Sequence, residues 1–299
     1  MARRTGKLYR EILLPKWEDV RRVAMQLDGW VFRGQRVAKW TLSTSFERGA
    51  RRYGLPQVFY RLKERQIIEA FQRRAHQFSD EGLAANDLVE WVALIQHHSG
   101  PSRLLDFSHS FYVAAFFALA DADLNDEAAL WAIPADALYE VRRRKFGHIY
   151  DAGPNTSESG QLFREIVEGT VRGAARDDLL AIPFEPRRMN RRLAVQQGLF
   201  VASFRLDRTF EENLFGTFGD TPPSTTRRRS RREVFRSQDI SFSRQTIVKL
   251  VLPPGIRNEA LIDLRRMNIS YASLFPDLEG FGRSMYSYFS PDWVSWVAG

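Results

Sequence analysis

Along the chain, apolar positions recur at helical spacing through residues 11–28. They give way at Gly29-Trp30-Val31-Phe32 to a short aromatic run that predicts a strand ending in Arg33-Gly34-Gln35. Phe59, Leu62, Ile67, Ala70, Phe71 and Phe78 predict a helix over 57–78, and a second is expected over 86–97 with Asn86 as its cap. Between 104 and 119 nearly every residue except Asp106, Ser108, His109 and Ser110 is apolar, so this stretch belongs to the interior. Residues 111–124, apolar nearly all round, predict a buried helix that Ser108 or Ser110 is placed to cap. Strands are expected over 128–133, 193–204 and 246–252, with Pro253-Pro254-Gly255 stopping the last, and a final helix over 259–267. Strands separated by clustered helices argue for a mixed α+β fold over a regularly alternating parallel sheet.

Composition narrows the chemistry. In 299 residues, 44% hydrophobic and 13% aromatic content supplies one sizeable core, and the chain is read as a single domain over 1–299. No run reaches the roughly 18 apolar residues of a membrane span, and Met-Ala-Arg-Arg-Thr-Gly-Lys lacks the apolar stretch of a secretion signal. A cytoplasmic protein is therefore expected. With no cysteine, thiolate nucleophiles, disulfides and sulfur-bound zinc are excluded together. The net charge of +8 is concentrated in arginine clusters at 142–145, 187–192 and 227–232. Residues 216–232 read as a mobile basic loop, in which Arg227, Arg228, Arg229, Arg231 and Arg232 either bind the phosphates of a nucleic acid or merely form a solvated face.

Arg33 is the sharpest single signal. A guanidinium following Trp30-Val31-Phe32 lies at the edge of the core, where desolvation costs several kcal/mol unless an anion meets it. Asp106, in similarly apolar surroundings, is the internal candidate, and a ligand phosphate or carboxylate is the other. Gly34 beside it suits a tight turn, a close backbone approach or a ligand contact. The polar segment 96–110 crowds three histidines among charges and hydroxyls just before the buried helix, whose N-terminus would attract a phosphate. His97 can serve as a general base or simply end a helix, and the adjacent His97 and His98 do not make a metal pair, so no metal is expected. Gln196 and Gln197 place two amides in an apolar strand, where they require partners.

Phe32-Arg33-Gly34, Gln96-His97, Pro101, Arg103-Leu104-Leu105-Asp106, the small-residue helix 114–118, the Asn-x-Arg-Leu-x-x-Gln-x-Gly-x-Phe pattern over 190–200 and Leu274-Phe275-Pro276-Asp277-Leu278 occur together in this order. In this the chain resembles the FRG-domain family between about residues 15 and 285. It departs from that pattern at Ser99, where the family has glycine, and at Phe107-Ser108, which stands for Trp-Thr. A more distant resemblance is to ADP-ribosyltransferases, which implies a split β-sheet with clustered helices that grips NAD as substrate. That resemblance gives Arg33 the pyrophosphate, Ser108 the ribose and Gln196 the position of the family's glutamate. The expected ligand-binding set is Arg33, Gly34, Gln96, Arg103 and Ser108. The expected catalytic set is His97, Asp106 and Gln196; since Gln196 can orient but not deprotonate, proton transfer falls to His97, Asp106 or another acid, or catalysis is absent. The same resemblance implies a macromolecular acceptor, a toxin or phage-defence role, and a regulatory or antitoxin partner. A non-catalytic nucleotide- or nucleic-acid-binding module, and a metal-independent nuclease using His97 and Asp106, are the alternatives.

Overall fold

A computed structural model of the chain describes residues 9–78, 88–147, 157–169, 178–186, 191–219, 232–236, 241–244 and 246–289. Eight strands form one mixed sheet: β1 (Arg10–Leu13), β2 (Trp30–Gln35), β3 (Leu104–Ser108), β4 (Ala128–Pro134), β5 (Ala181–Phe184), β6 (Gly198–Ser203), β7 (Glu233–Val234) and β8 (Val248–Leu252). Their order across the sheet is β5-β6-β3-β2-β4-β8-β1-β7. β1 runs parallel to β7 and β8, and the other neighbours are antiparallel. Every residue of β4, β6 and β8 is buried, as strands covered on both faces must be. The mixed α+β class expected from the sequence is the class observed.

Alternation along the strands divides the core. On the face carrying Phe32 and Ser108, two separate clusters form. One gathers Phe32, Leu130 and Leu250 under the helices Trp17–Ala24, Phe111–Leu119 and Arg257–Arg266. The other gathers Leu104, Phe184 and Phe200 under Leu88–His97 and Ser157–Glu168. On the opposite face Val31, Leu105, Phe107, Trp131 and Val201 belong to one continuous cluster closed by Phe210–Thr217. The division falls between β2 and β3, which share a single registered pair, Phe32 with Ser108, whereas β2 and β4 share six. Beyond that pair the two strands part.

Gly34 lies on the divided face, where β2 crosses the helix Phe111–Leu119. A Cβ built there would stand 2.1 Å from the Ala114 carbonyl oxygen and 2.5 Å from the Ala118 nitrogen. The missing side chain thus serves helix packing, and of the roles open to this glycine the close backbone approach is the one realised. Because both obstacles are backbone, Gly34→Ala forces strand and helix apart, and we expect a loss of about 1–3 kcal/mol or more in urea unfolding.

Several sequence readings need correction. Residues 11–28 are not one helical run: Arg10–Leu13 is a strand, and the helix occupies Trp17–Ala24. The predicted strand 193–204 is instead a short helix Arg191–Val195, a turn, and then β6. Gln197 in that turn takes a positive φ of 47°. The 57–78 segment is helical over Tyr60–Gln72, but Phe59 and Leu62 face solvent, and its buried positions are Glu64 and Ile68. Asn86, the expected cap, lies outside the described residues, as do 220–231 of the predicted basic loop.

Candidate functional site

Where β2 and β3 diverge, a cleft of about 800 Å³ opens, lined by Arg33, Gly34, Gln96, His97, Asp106, Ser108 and Gln196 among others. Seven of the residues singled out from sequence are thus brought together from three separate segments. Arg33 points across the gap. Its Nη1 donates to the main-chain oxygen of Asp106 at 2.6 Å and lies 3.8 Å from that residue's carboxylate, while its Nε is buried and has no partner. Burial lowers the guanidinium pKa, the Asp106 charge opposes that shift, and Arg48 adds to it. The internal ion pair is therefore incomplete: Arg33 spends its best bond on a carbonyl. Asp106, half exposed at 51%, instead accepts from Gln96 Nε2 at 2.8 Å. Gln96 in turn accepts from Ser102 Oγ at 2.7 Å, so both ends of its amide are engaged and Asp106 is held in place.

The two serines divide their work. Ser110 caps the helix Phe111–Leu119 by accepting from the Val113 nitrogen. Ser108 donates to the Gln196 carbonyl at 2.7 Å and accepts from the Ser110 nitrogen at 2.9 Å. Ser108, Ala114 and Phe117 line the cleft, whereas His109, Phe111 and Tyr112 at the start of that helix border a separate hollow of about 350 Å³. Gln196 stands in the turn after Arg191–Val195, and its Nε2 donates to the Leu274 carbonyl at 3.0 Å. The amide ties the 190–200 segment to the Leu274-Phe275 corner, a structural task. At Ser99 the backbone takes φ 60°, the left-handed conformation that the glycine of the related pattern adopts without strain, so the loop after Leu88–His97 turns tightly despite the substitution.

Arg103 is the clear misassignment. Only 1% exposed, it lies away from the cleft and pairs with Glu64, itself 3% exposed, through Nε at 2.6 Å and a second bond through Nη2. Its Nη1 adds a bond to the Ser203 carbonyl at 3.1 Å. Arg232 is also committed, to Glu11 at 2.9 Å and Glu127 at 2.8 Å, which removes it from the expected phosphate-binding set. Arg227, Arg228, Arg229 and Arg231 lie outside the described residues.

The cleft also holds cations that sequence reasoning did not place there: Arg36, Arg48, Arg51 and Arg192. Arg192 lies with its guanidinium carbon 4.2 Å from the centre of the Phe275 ring. Against these and Arg33 stand two carboxylates, Asp106 and Asp121, and Asp121 is paired with Arg283 at 2.8 Å. What fold and site define is an α+β protein with a strongly cationic cleft in a parted sheet. Residues 28–127 match the FRG domain, so the chain carries an FRG domain. The match takes in β2, β3 and the helix Phe111–Leu119, and the other six strands lie beyond it. No curated protein and no solved structure matches the chain. No helix among the described residues is long and apolar enough to cross a membrane.

Proposed function

We propose that the cleft binds NAD and that the protein is an ADP-ribosyltransferase-like enzyme acting on a macromolecular acceptor. The observation that carries this reading is the buried, unpartnered Nε of Arg33, a residue lining a cleft in which five arginines face two carboxylates. A buried donor without an acceptor costs about 1–3 kcal/mol, and a pyrophosphate oxygen would relieve that cost with a charge-assisted bond. The volume falls within the roughly 300–1,000 Å³ range of small-molecule sites. Arg33 and Arg192 would hold the pyrophosphate, and Phe117 offers an apolar wall.

Asp106 is the group suited to proton transfer. It is half exposed and held by Gln96, and it borders the cleft. As an acceptor atom bonds to the ribose C1′ and the bond to nicotinamide breaks, nicotinamide leaves neutral with the bonding electrons, and the acceptor's proton passes to the Asp106 carboxylate. Gln196, tied to Leu274, has no part in this step.

One observation favours a second reading, a nucleotide-binding module without chemistry: the turn where the resemblance seeks a glutamate offers only that engaged amide. The two separate on Asp106→Asn. With radiolabelled NAD and cell extract, an enzyme loses transfer by about 100-fold or more, the lower range of a general-base contribution, yet keeps NAD affinity within about threefold. Wild-type protein that binds NAD without transferring label supports the module. Wild-type protein that neither binds nor consumes NAD ends the proposal.

A further inference from the structure

In the NAD reading Arg33 and Arg192 hold the pyrophosphate, while Arg36, Arg48 and Arg51 add positive charge to the cleft without a contact of their own to that ligand. They belong to the wall of the cleft formed by residues 36–53. Five residues there are cationic, Arg36, Lys39, Arg48, Arg51 and Arg52, and one, Glu47, is acidic. That acid is turned inward: it is buried, accepting from Ser43 Oγ at 2.9 Å and from the Phe210 nitrogen at 2.5 Å. Burial pushes its carboxyl up to about 7. The outer surface of the segment therefore carries cations alone.

Aromatic rings are set among these cations. Trp40 is 46% exposed and lines the cleft, with the Arg36 guanidinium carbon 5.1 Å from its ring centre. Tyr53, more exposed still, has the Arg52 guanidinium 5.9 Å away. The wall is also fixed in shape. Lys249 Nζ donates to the Ala38 carbonyl, Gln35 Nε2 to the Thr41 carbonyl at 3.1 Å, and the Leu42 nitrogen to Glu211 at 2.9 Å. A rigid strip of arginines with an exposed indole among them combines two features. The cations follow a chain of phosphates, and the indole offers a face on which a base can stack.

We propose that this wall binds a single-stranded polynucleotide. A duplex keeps its bases stacked on one another and leaves Trp40 without a partner. An acidic peptide supplies charge but no planar ring. As the acceptor of ADP-ribose, the strand rests on the NAD reading; as a ligand of the wall, it does not.

The test is fluorescence anisotropy of labelled 12-nucleotide oligo(U) and oligo(dT), a 12-base-pair duplex and polyglutamate against the full chain, over a range of KCl concentrations. Both single strands should bind more tightly than duplex or polyglutamate. Trp40→Ala should weaken strand binding about tenfold with an unchanged salt slope, since stacking carries no charge. Arg48→Ala/Arg51→Ala should weaken it at least tenfold and flatten the slope by about 1.4, at about 0.7 per lost phosphate contact on single strands. Arg48 also donates to the Ser43 carbonyl, so Arg51→Ala alone, with a flattening of about 0.7, covers the case in which the double variant folds poorly. Calorimetry with NAD on the wild-type protein separates the two proposals: strand binding without NAD binding ends the transferase reading alone. Equal affinity for duplex or polyglutamate, or strand affinity unchanged in both Trp40→Ala and Arg51→Ala, overturns the wall as a polynucleotide site.

Discussion

Arg33→Ala should reduce NAD affinity by about 30-fold or more while the melting temperature stays within a few degrees of wild type. Truncating one partner of a buried charged hydrogen bond costs about 2–5 kcal/mol of binding, and the Nε of this arginine has no other acceptor to lose. The effect on folding is small because Arg33 makes one strong internal bond, to the Asp106 carbonyl. The strand beneath it is secured independently by its ladder to β4, from Trp30 opposite Pro134 to Gln35 opposite Ala129. Arg33→Lys should recover only part of the affinity, since an ammonium returns the charge but not the planar fork that meets a pyrophosphate with two parallel bonds. Isothermal titration calorimetry and a thermal melt on the same samples decide the matter. A melt lowered by about 10 °C or more, a cost of several kcal/mol for a chain of this size, would make Arg33 a staple across the parted strands and remove the main support for NAD.

How far the sequence disclosed this arrangement depends on the distance over which each signal acts. The strand at 30–35, the buried helix after Ser110 and the mixed class follow from local periodicity, so they were legible. That Arg33, Gln96, His97, Asp106, Ser108 and Gln196 meet around one cleft was also legible, because short apolar segments carrying polar residues must converge on a common core boundary. The single Phe32–Ser108 pairing, after which the strands part, was not legible, since strand register leaves no mark on composition. Arg48 and Arg51, three apart on the helix Ser45–Arg52, carried a usable signal as two cations on one helical face, but Glu47, four before Arg51, shares that face by spacing, and only its burial takes it out of the charge pattern. Arg192 had a comparable one in its place beside Leu193, yet its charge reads as a solvated cluster until Phe275 is seen beneath it. Arg103 went astray because it adjoins β3, whose Asp106 and Ser108 line the cleft, whereas its own side chain is buried against Glu64, 39 residues away. The clue lay in the partner: Glu64 precedes Ile67 and Ile68 by three and four positions and therefore shares their apolar face, where a lone carboxylate requires a cation.

That pair carries the largest expected effect on stability. Arg103→Ala should lower the free energy of unfolding by about 3–5 kcal/mol, the usual cost of leaving one member of a buried ion pair without its partner. Here the stranded group is Glu64, on a helix packed beside Leu88–His97, and Arg103 also bonds the Ser203 carbonyl at the end of β6. Its removal therefore loosens helix, β3 and β6 together. Glu64→Gln should cost less, because a neutral amide still accepts from the guanidinium although it leaves that cation uncompensated. Arg103→Met combined with Glu64→Leu should recover most of the loss, since two apolar side chains of similar size avoid both desolvation penalties. Urea unfolding of the three variants gives the ordering, and calorimetry on the folded double variant should give an NAD affinity equal to that of the wild-type protein, because neither residue borders the cleft. A double variant as unstable as Arg103→Ala would mean that the two charges are not paired. A stable double variant that has lost NAD would return Arg103 to the ligand-binding set from which its burial excludes it.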